Sequence, residues 1–457
     1  MSDGRTRMSS NLAYILVSIG GAVGMGNLWR FPFYLTSYGG SIFLIVYLGL
    51  IFFFGIPLVL AETAIGRRAQ TDPTLCYQAI YENETGKKNK LMRIAGFIPL
   101  ITIMVIFGYY NVVAGWAMQY VVKSATVPLE TMNVDMFNQI NYNIGTNYFF
   151  TTLALVITAV VVWFGVNDGI EKMNKFMIPC LFVMLLILVV KGMTLPTASQ
   201  ALEYLLTPDM RNVDAAGGIG VVIIRALGAA FGSLNLGFGT YMTFGSYLSK
   251  KENIVKSSII IPLSDTLVAF LAAFAIIPVI FSLGQEPGLG GAGTMFGTLP
   301  LGFATMGGIG KVFCTMFFIL VSFAALTSLF PCLEVGICWL NDNYNISRKK
   351  ANIIICLGIF VFSTLCVMGY GPMANITFFG YDFFNFWMLV GDFLLPISAL
   401  SIAIVSGWIM KKESAFDEVT SGGEYSFPIF EIWRFLVRYV APIGIVIMLI
   451  ITIMSYI

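Results

Sequence analysis

An apolar composition, charges confined between apolar blocks, and two glycine-rich stretches inside such blocks predict an all-α integral membrane protein with about eleven transmembrane helices. Of the 457 residues, 58% are apolar and only 11% charged, far too few charges to cover the surface of a soluble chain this long. Stretches 41–61, 176–190 and 440–457 contain no charge at all. The glycine-rich stretches read Gly20-Gly21-Ala22-Val23-Gly24-Met25-Gly26-Asn27 and Gly232-Ser233-Leu234-Asn235-Leu236-Gly237-Phe238-Gly239. Glycine costs about 1 kcal/mol per residue inside a helix, so each cluster predicts a local break.

The expected spans are 11–37, 41–66, 94–123, 148–165, 170–192, 217–249, 255–283, 307–340, 351–370, 377–410 and 430–456. The glycine clusters fall in the first and sixth of these. That spacing suits a five-plus-five inverted repeat in which a broken helix opens each half. The repeats then cover roughly 11–192 and 217–410, with an extra C-terminal helix at 430–456, all within one transmembrane domain covering 1–457. The polar stretches 67–93, 125–147, 194–216 and 411–427 read as loops, and glycine-rich 285–310 as a possible lid. The start, MSDGRTRMSS, is too short and polar for a cleavable signal, so 11–37 reads as a retained first span.

With the N-terminus in the cytoplasm and the spans alternating, Arg67, Arg68, Lys87, Lys88, Lys250, Lys251, Lys349, Lys350, Lys411 and Lys412 lie inside, with most other Lys and Arg. Only Arg30, Lys123, Lys191, Arg211, Arg225 and Lys311 do not. This asymmetry obeys the positive-inside rule, and an odd number of spans puts the C-terminus outside. A net charge of +2 says little about partners; no nucleic-acid partner is expected. The chain has no histidine, which removes the commonest general base and metal ligand. No nucleophile pairs with a base, so no catalytic residue is expected and an enzyme is disfavoured. Glu62 and Glu334, the other tempting carboxylates, are expected to bond backbone near helix ends.

Broken helix at membrane depth is tolerated where it is buried in protein or lines a cavity. It exposes carbonyl oxygens, which suit a hard cation such as sodium, and half-helix amides, which suit an anion. The competing reading is that the glycines form close helix-packing faces. It weakens because two such stretches occur five spans apart.

Gly24-Met25-Gly26-Asn27-Leu28-Trp29-Arg30-Phe31-Pro32 resembles the first-helix signature of the neurotransmitter:sodium symporter family and its bacterial LeuT-type amino-acid transporters. The resemblance continues through Gly55-Ile56-Pro57, Glu62, Gly66-Arg67, Tyr109-Tyr110, Trp116, Gly169-Ile170-Glu171-Lys172, Leu236-Gly237-Phe238-Gly239, Thr327-Ser328 and Ser347-Arg348-Lys349, and so covers nearly the whole chain. It implies a LeuT-type fold, two sodium ions and an amino-acid substrate within a lipid bilayer. The first sodium would take Ala22, Asn27, Ser233 and Asp265. The second would take Gly20, Val23, Ala324, Thr327 and Ser328. The substrate carboxylate would meet Met25, Gly26 and Tyr110, and its amine Ala22, Ser233 and Asn235. Its side chain would lie among Gly21, Ile106, Gly232, Asn235, Phe238, Ser328 and Cys332.

Plainer roles stand beside these. Thr327 and Ser328 can bond back to their own helix, Tyr110 can pack as an ordinary aromatic, and Asp265 can sit near the inner surface if its span begins late. Amine-transporting members carry an aspartate at Gly24, so glycine implies a ligand that brings its own carboxylate. Asp265 stands where chloride-dependent members have asparagine, and Ala229 and Ala269 lack polar side chains, although Tyr47 matches a chloride-site residue. Chloride-independent transport is therefore expected. Gly232 replaces a phenylalanine lid and enlarges the pocket, so a hydrophobic or aromatic amino acid is expected. Outer-gate Arg30 has its acidic partner position at Asn385, with Asp382 one turn away. The inner gate is expected from Arg5, Tyr247 and Asp342, with Met8 in place of a tryptophan. A substrate-gated sensor or channel on the same fold is the alternative, because fold does not fix function.

Overall fold

The computed structural model describes residues 7–288 and 290–454. It is all-helical. Among the described residues, nine helices are long and apolar enough to cross a membrane, and the pair Asn11–Ala22 and Met25–Ser37, bent by 49°, makes a tenth. This is a multi-pass membrane protein. Large apolar side chains such as Ile45, Phe149, Val190 and Ile443 are more than half exposed on its outside, as lipid-facing helices require.

Ten of the predicted spans recur with shifted ends; in place of the sixth lies the shorter apolar helix Ile219–Ser233. The second runs Ser41–Ala69, the third Lys90–Thr126, the seventh Ile254–Phe281, the eighth Gly308–Tyr344 and the last Phe430–Met454. The fourth, Ile144–Trp163, parts from the fifth, Val166–Met193, at Gly165, whose φ of 87° no ordinary residue adopts cheaply. The tenth begins at Phe383 rather than 377, because Phe378 and Tyr381 pair in a tight turn and the Asp382 side chain caps the helix. The stretches read as loops hold short helices, among them Pro73–Thr85, Val134–Tyr142, Ala198–Leu206 and Lys412–Val419. Two of these start at a side-chain cap: Asp72, followed by Pro73, and Asn133.

The breaks are narrower than the glycine clusters. Gly20 and Gly21 stay in helix Asn11–Ala22, and the chain departs from helix only at Val23 and Gly24 before Met25–Trp29 resumes. Helix Ile219–Ser233 ends at Leu234, and helix Thr240–Gly245 starts at Gly239. Between them Asn235, Gly237 and Gly239 take positive φ of 52°, 89° and 73°. The backbone groups freed there find partners. Gly237 N–H donates to Glu62 Oε2 (3.2 Å), Ser398 Oγ donates to Gly237 O (2.6 Å) and Tyr241 Oη to Leu234 O (2.9 Å). Left unmade in a bilayer, each would cost several kcal/mol. Glu62 is fully buried and bonds backbone as expected, but at the second break. Glu334 does not. Arg348 grips its carboxylate through two bonds of 2.7 Å, and Tyr247 Oη donates to it at 2.6 Å. A fully buried carboxylate takes cationic partners where they are in reach.

Candidate functional site

Both breaks open onto one cavity of about 130 Å³. Every residue expected to hold the substrate lines it except Gly21, which borders a much smaller void on the far side of Asn235. Asn235 touches both spaces, and its Nδ2 donates to the Gly21 carbonyl. Its left-handed backbone turns this side chain toward the first span. Asparagine accepts that conformation more readily than most residues.

At one wall the two breaks meet helix Ile254–Phe281. Asn27 Nδ2 donates to Asp265 Oδ1 at 2.7 Å and to the Asp265 carbonyl at 3.1 Å. Ser233 Oγ donates to Asp265 Oδ2 at 2.5 Å. Asp265 is completely buried, well inside helix Ile254–Phe281 and not at its end. Asn27 Oδ1 accepts the Gly24 N–H at 3.2 Å, and an amide oxygen has a second lone pair to offer.

Above this cluster, Met25 N–H donates to Tyr110 Oη at 3.1 Å. Tyr110 therefore accepts from the first break and keeps its own O–H to donate. A Cβ on Gly24 would lie 3.1 Å from Tyr110 Oη and 3.2 Å from Ser328 Oγ, so glycine leaves that space open.

On the other side, Thr327 Oγ1 lies 2.9 Å from the Phe323 carbonyl and 3.2 Å from that of Ala324, bonding back to its own helix. The Ser328 hydroxyl faces the carbonyls of Ala324 (3.0 Å), Gly21 (3.1 Å) and Gly20 (3.4 Å). Ser328 thus joins the eighth span to the first at the carbonyls expected to serve a second cation.

Asp382 and Asn385 bond each other: the Asp382 carboxylate accepts the Asn385 N–H (3.0 Å) and Nδ2 (2.5 Å). The acidic residue that lines the cavity with Arg30 is Asp392, further along the same helix. The charges of Arg30 and Arg225 both act on it. Sequence reasoning missed Asp392, with its neighbours Met388, Gly391 and Leu395. An ionisable residue deep in a span is a functional signal, and that same signal had singled out Asp265. Of the expected inner-gate residues, Arg5 lies outside the described residues. Tyr247 accepts the Met8 N–H at its carbonyl (3.2 Å), and Asp342 accepts from Thr71 Oγ1 (3.2 Å) and the Asp72 N–H (2.8 Å).

Comparison with known proteins decides the class. The sequence matches the sodium:neurotransmitter symporter family over residues 5–138 and 131–457. The chain belongs to that family. An uncharacterized sodium-dependent transporter of Haemophilus influenzae is 31% identical, with 98% of each chain covered. The sodium-dependent transporter YhdH of Bacillus subtilis, also uncharacterized, is 30% identical over 96% of each. The crystal structure of MhsT in complex with L-phenylalanine superposes with a TM-score of 0.86 at 32% identity, covering 98% of this chain and 99% of that one. The fold is therefore LeuT-like. Membership places the chain among sodium-coupled symporters, which are transporters and not enzymes.

Proposed function

We propose that this symporter carries an amino acid, hydrophobic or aromatic, into the cell with two sodium ions and without chloride. The reading rests on one observation: Asn27 and Ser233, which line the cavity where both breaks open, both donate to the buried Asp265 carboxylate behind them. Asp265 and the Asn27 and Ala22 oxygens give the first sodium hard ligands. The carbonyls of Gly20, Val23 and Ala324, with Thr327 and Ser328, hold the second. The substrate carboxylate meets Met25, Gly26 and Tyr110, and its amine meets Ala22, Ser233 and Asn235. The buried Asp265 charge takes chloride's part in balancing the cations. Ile106, Phe238 and Cys332 face the side chain, and the solved relative in complex with L-phenylalanine supports an apolar or aromatic one.

In this reading the chain has eleven spans, with Ile219–Ser233 and Thr240–Gly245 forming a broken sixth. Inverted repeats cover 11–192 and 217–410, and helix 430–456 stands outside them. The N-terminus is cytoplasmic and the C-terminus outside. Tyr247 and Asp342, with Arg5, guard the inner side, and Arg30 the outer. Sodium and substrate bind together from outside, the outer path closes, and rocking of the first-span bundle opens the inner one. Counterflow of labelled amino acid in proteoliposomes tests this: exchange that needs sodium supports transport, and binding without exchange would indicate a sensor.

A further inference from the structure

The cavity has an arm whose chemistry the proposed site does not use. Its lining takes in Gly228, Ala229 and Gly232 of helix Ile219–Ser233 and Asp392 of helix Phe383–Ile404. A Cβ built on Gly228 or Gly232 meets nothing within 4 Å, so the arm is open space where a larger residue would fill it. Asp392 lines the cavity; burial desolvates it first of all, and the charges of Arg30 and Arg225 act on it. A carboxylate facing a mostly apolar cavity is an acceptor that wants a donor.

Resting on the amino-acid reading above, we propose that Asp392 is a specificity residue that accepts a hydrogen bond from a neutral N–H or O–H at the far end of a large substrate side chain. The glycine arm supplies the length. The charge balance selects a neutral donor: two guanidinium groups already act on one carboxylate, so a cationic side chain would enter a region of net positive charge and be repelled. A neutral donor meets no such penalty and gains a charge-assisted bond, stronger than a neutral one. A side chain of equal size without a donor would bury the carboxylate and leave it unpaired.

The test compares ligands matched in size that differ in the donor: tryptophan against 2-naphthylalanine, and tyrosine against phenylalanine. Each competes for sodium-dependent binding to the full-length protein in detergent or proteoliposomes. Wild type should prefer the donor-bearing member of each pair by roughly tenfold or more. Asp392→Leu should abolish the preference, and Asp392→Asn, which keeps one acceptor oxygen, should retain most of it. The ratio within a pair is the readout, because a purely structural effect weakens both members alike. Equal binding of both members by wild type, a preference that survives in Asp392→Leu, or parallel weakening of both members would each overturn the proposal. If Asp392→Leu does not fold, the wild-type pairs and Asp392→Asn still decide. If no amino acid binds in sodium at all, the transport reading itself fails; if amino acids bind but the pairs do not separate, only this inference does.

Discussion

Asn27 donates to Asp265 across 2.7 Å, tying the first break to helix Ile254–Phe281, and Ser233 brings the second break to the same carboxylate. Three separate parts of the chain therefore share one buried charge. Removing that charge should unmake the site without touching any other span.

Uptake by wild type is expected to be unchanged when gluconate replaces chloride. Asp265→Asn should lower sodium-dependent binding more than tenfold, because the cation loses its counter-charge. Chloride should not restore it, since Ala229 and Ala269 offer the anion no donor. Isotope binding in the two buffers checks both statements, and wild-type uptake that stops without chloride would contradict the first.

Gly24→Asp puts a carboxylate against Tyr110 Oη and Ser328 Oγ, both just over 3 Å from a Cβ at that position. It takes the place proposed for the substrate carboxylate. Amino-acid binding should fall at least a hundredfold, while the matching decarboxylated amine loses little. Competition binding with tryptophan and tryptamine measures the contrast.

Glu62→Ala removes the acceptor for the Gly237 N–H inside the second break. An unpaired buried donor costs roughly 1–3 kcal/mol, so the variant should melt several degrees lower in detergent. Sodium and substrate should recover part of the loss through binding linkage. Thermal melting with and without both ligands is the measurement.

Arg348→Ala strands Glu334, which is fully buried beneath Arg348's two bonds. Breaking a buried pair costs roughly 3–5 kcal/mol. The double variant Glu334→Gln with Arg348→Ala should be more stable than Arg348→Ala alone, because it removes the stranded charge. Melting temperatures of the three proteins give the order.

Much of this was legible because a bilayer constrains sequence so strongly. Uncharged runs marked the spans, and the glycine clusters marked both helical breaks, since few other residues are tolerated where backbone must depart from helix in a membrane. Asn27, Ser233 and Asp265 were reached through the resemblance to the symporter family, position by position. The extent of each break was not legible: Gly20 and Gly21 remain helical, because tertiary packing outweighs a propensity cost of about 1 kcal/mol. The partner of Glu334 was hidden by distance along the chain, since Arg348 lies beyond a helix end. Matching the family's acidic position leads to Asn385 and Asp382, where the Asp382 side chain caps its helix through the Asn385 N–H, whereas depth in the span leads to Asp392, which lines the cavity.

Sodium-gradient-driven uptake by purified protein in sealed proteoliposomes tests amino-acid symport most directly. A screen of the twenty amino acids should find at least one, hydrophobic or aromatic, that accumulates against its gradient when sodium is high outside. It should not accumulate when potassium replaces sodium, and Asp265→Asn should abolish the accumulation. Accumulation of no amino acid under a sodium gradient, or equal uptake with potassium, would contradict it.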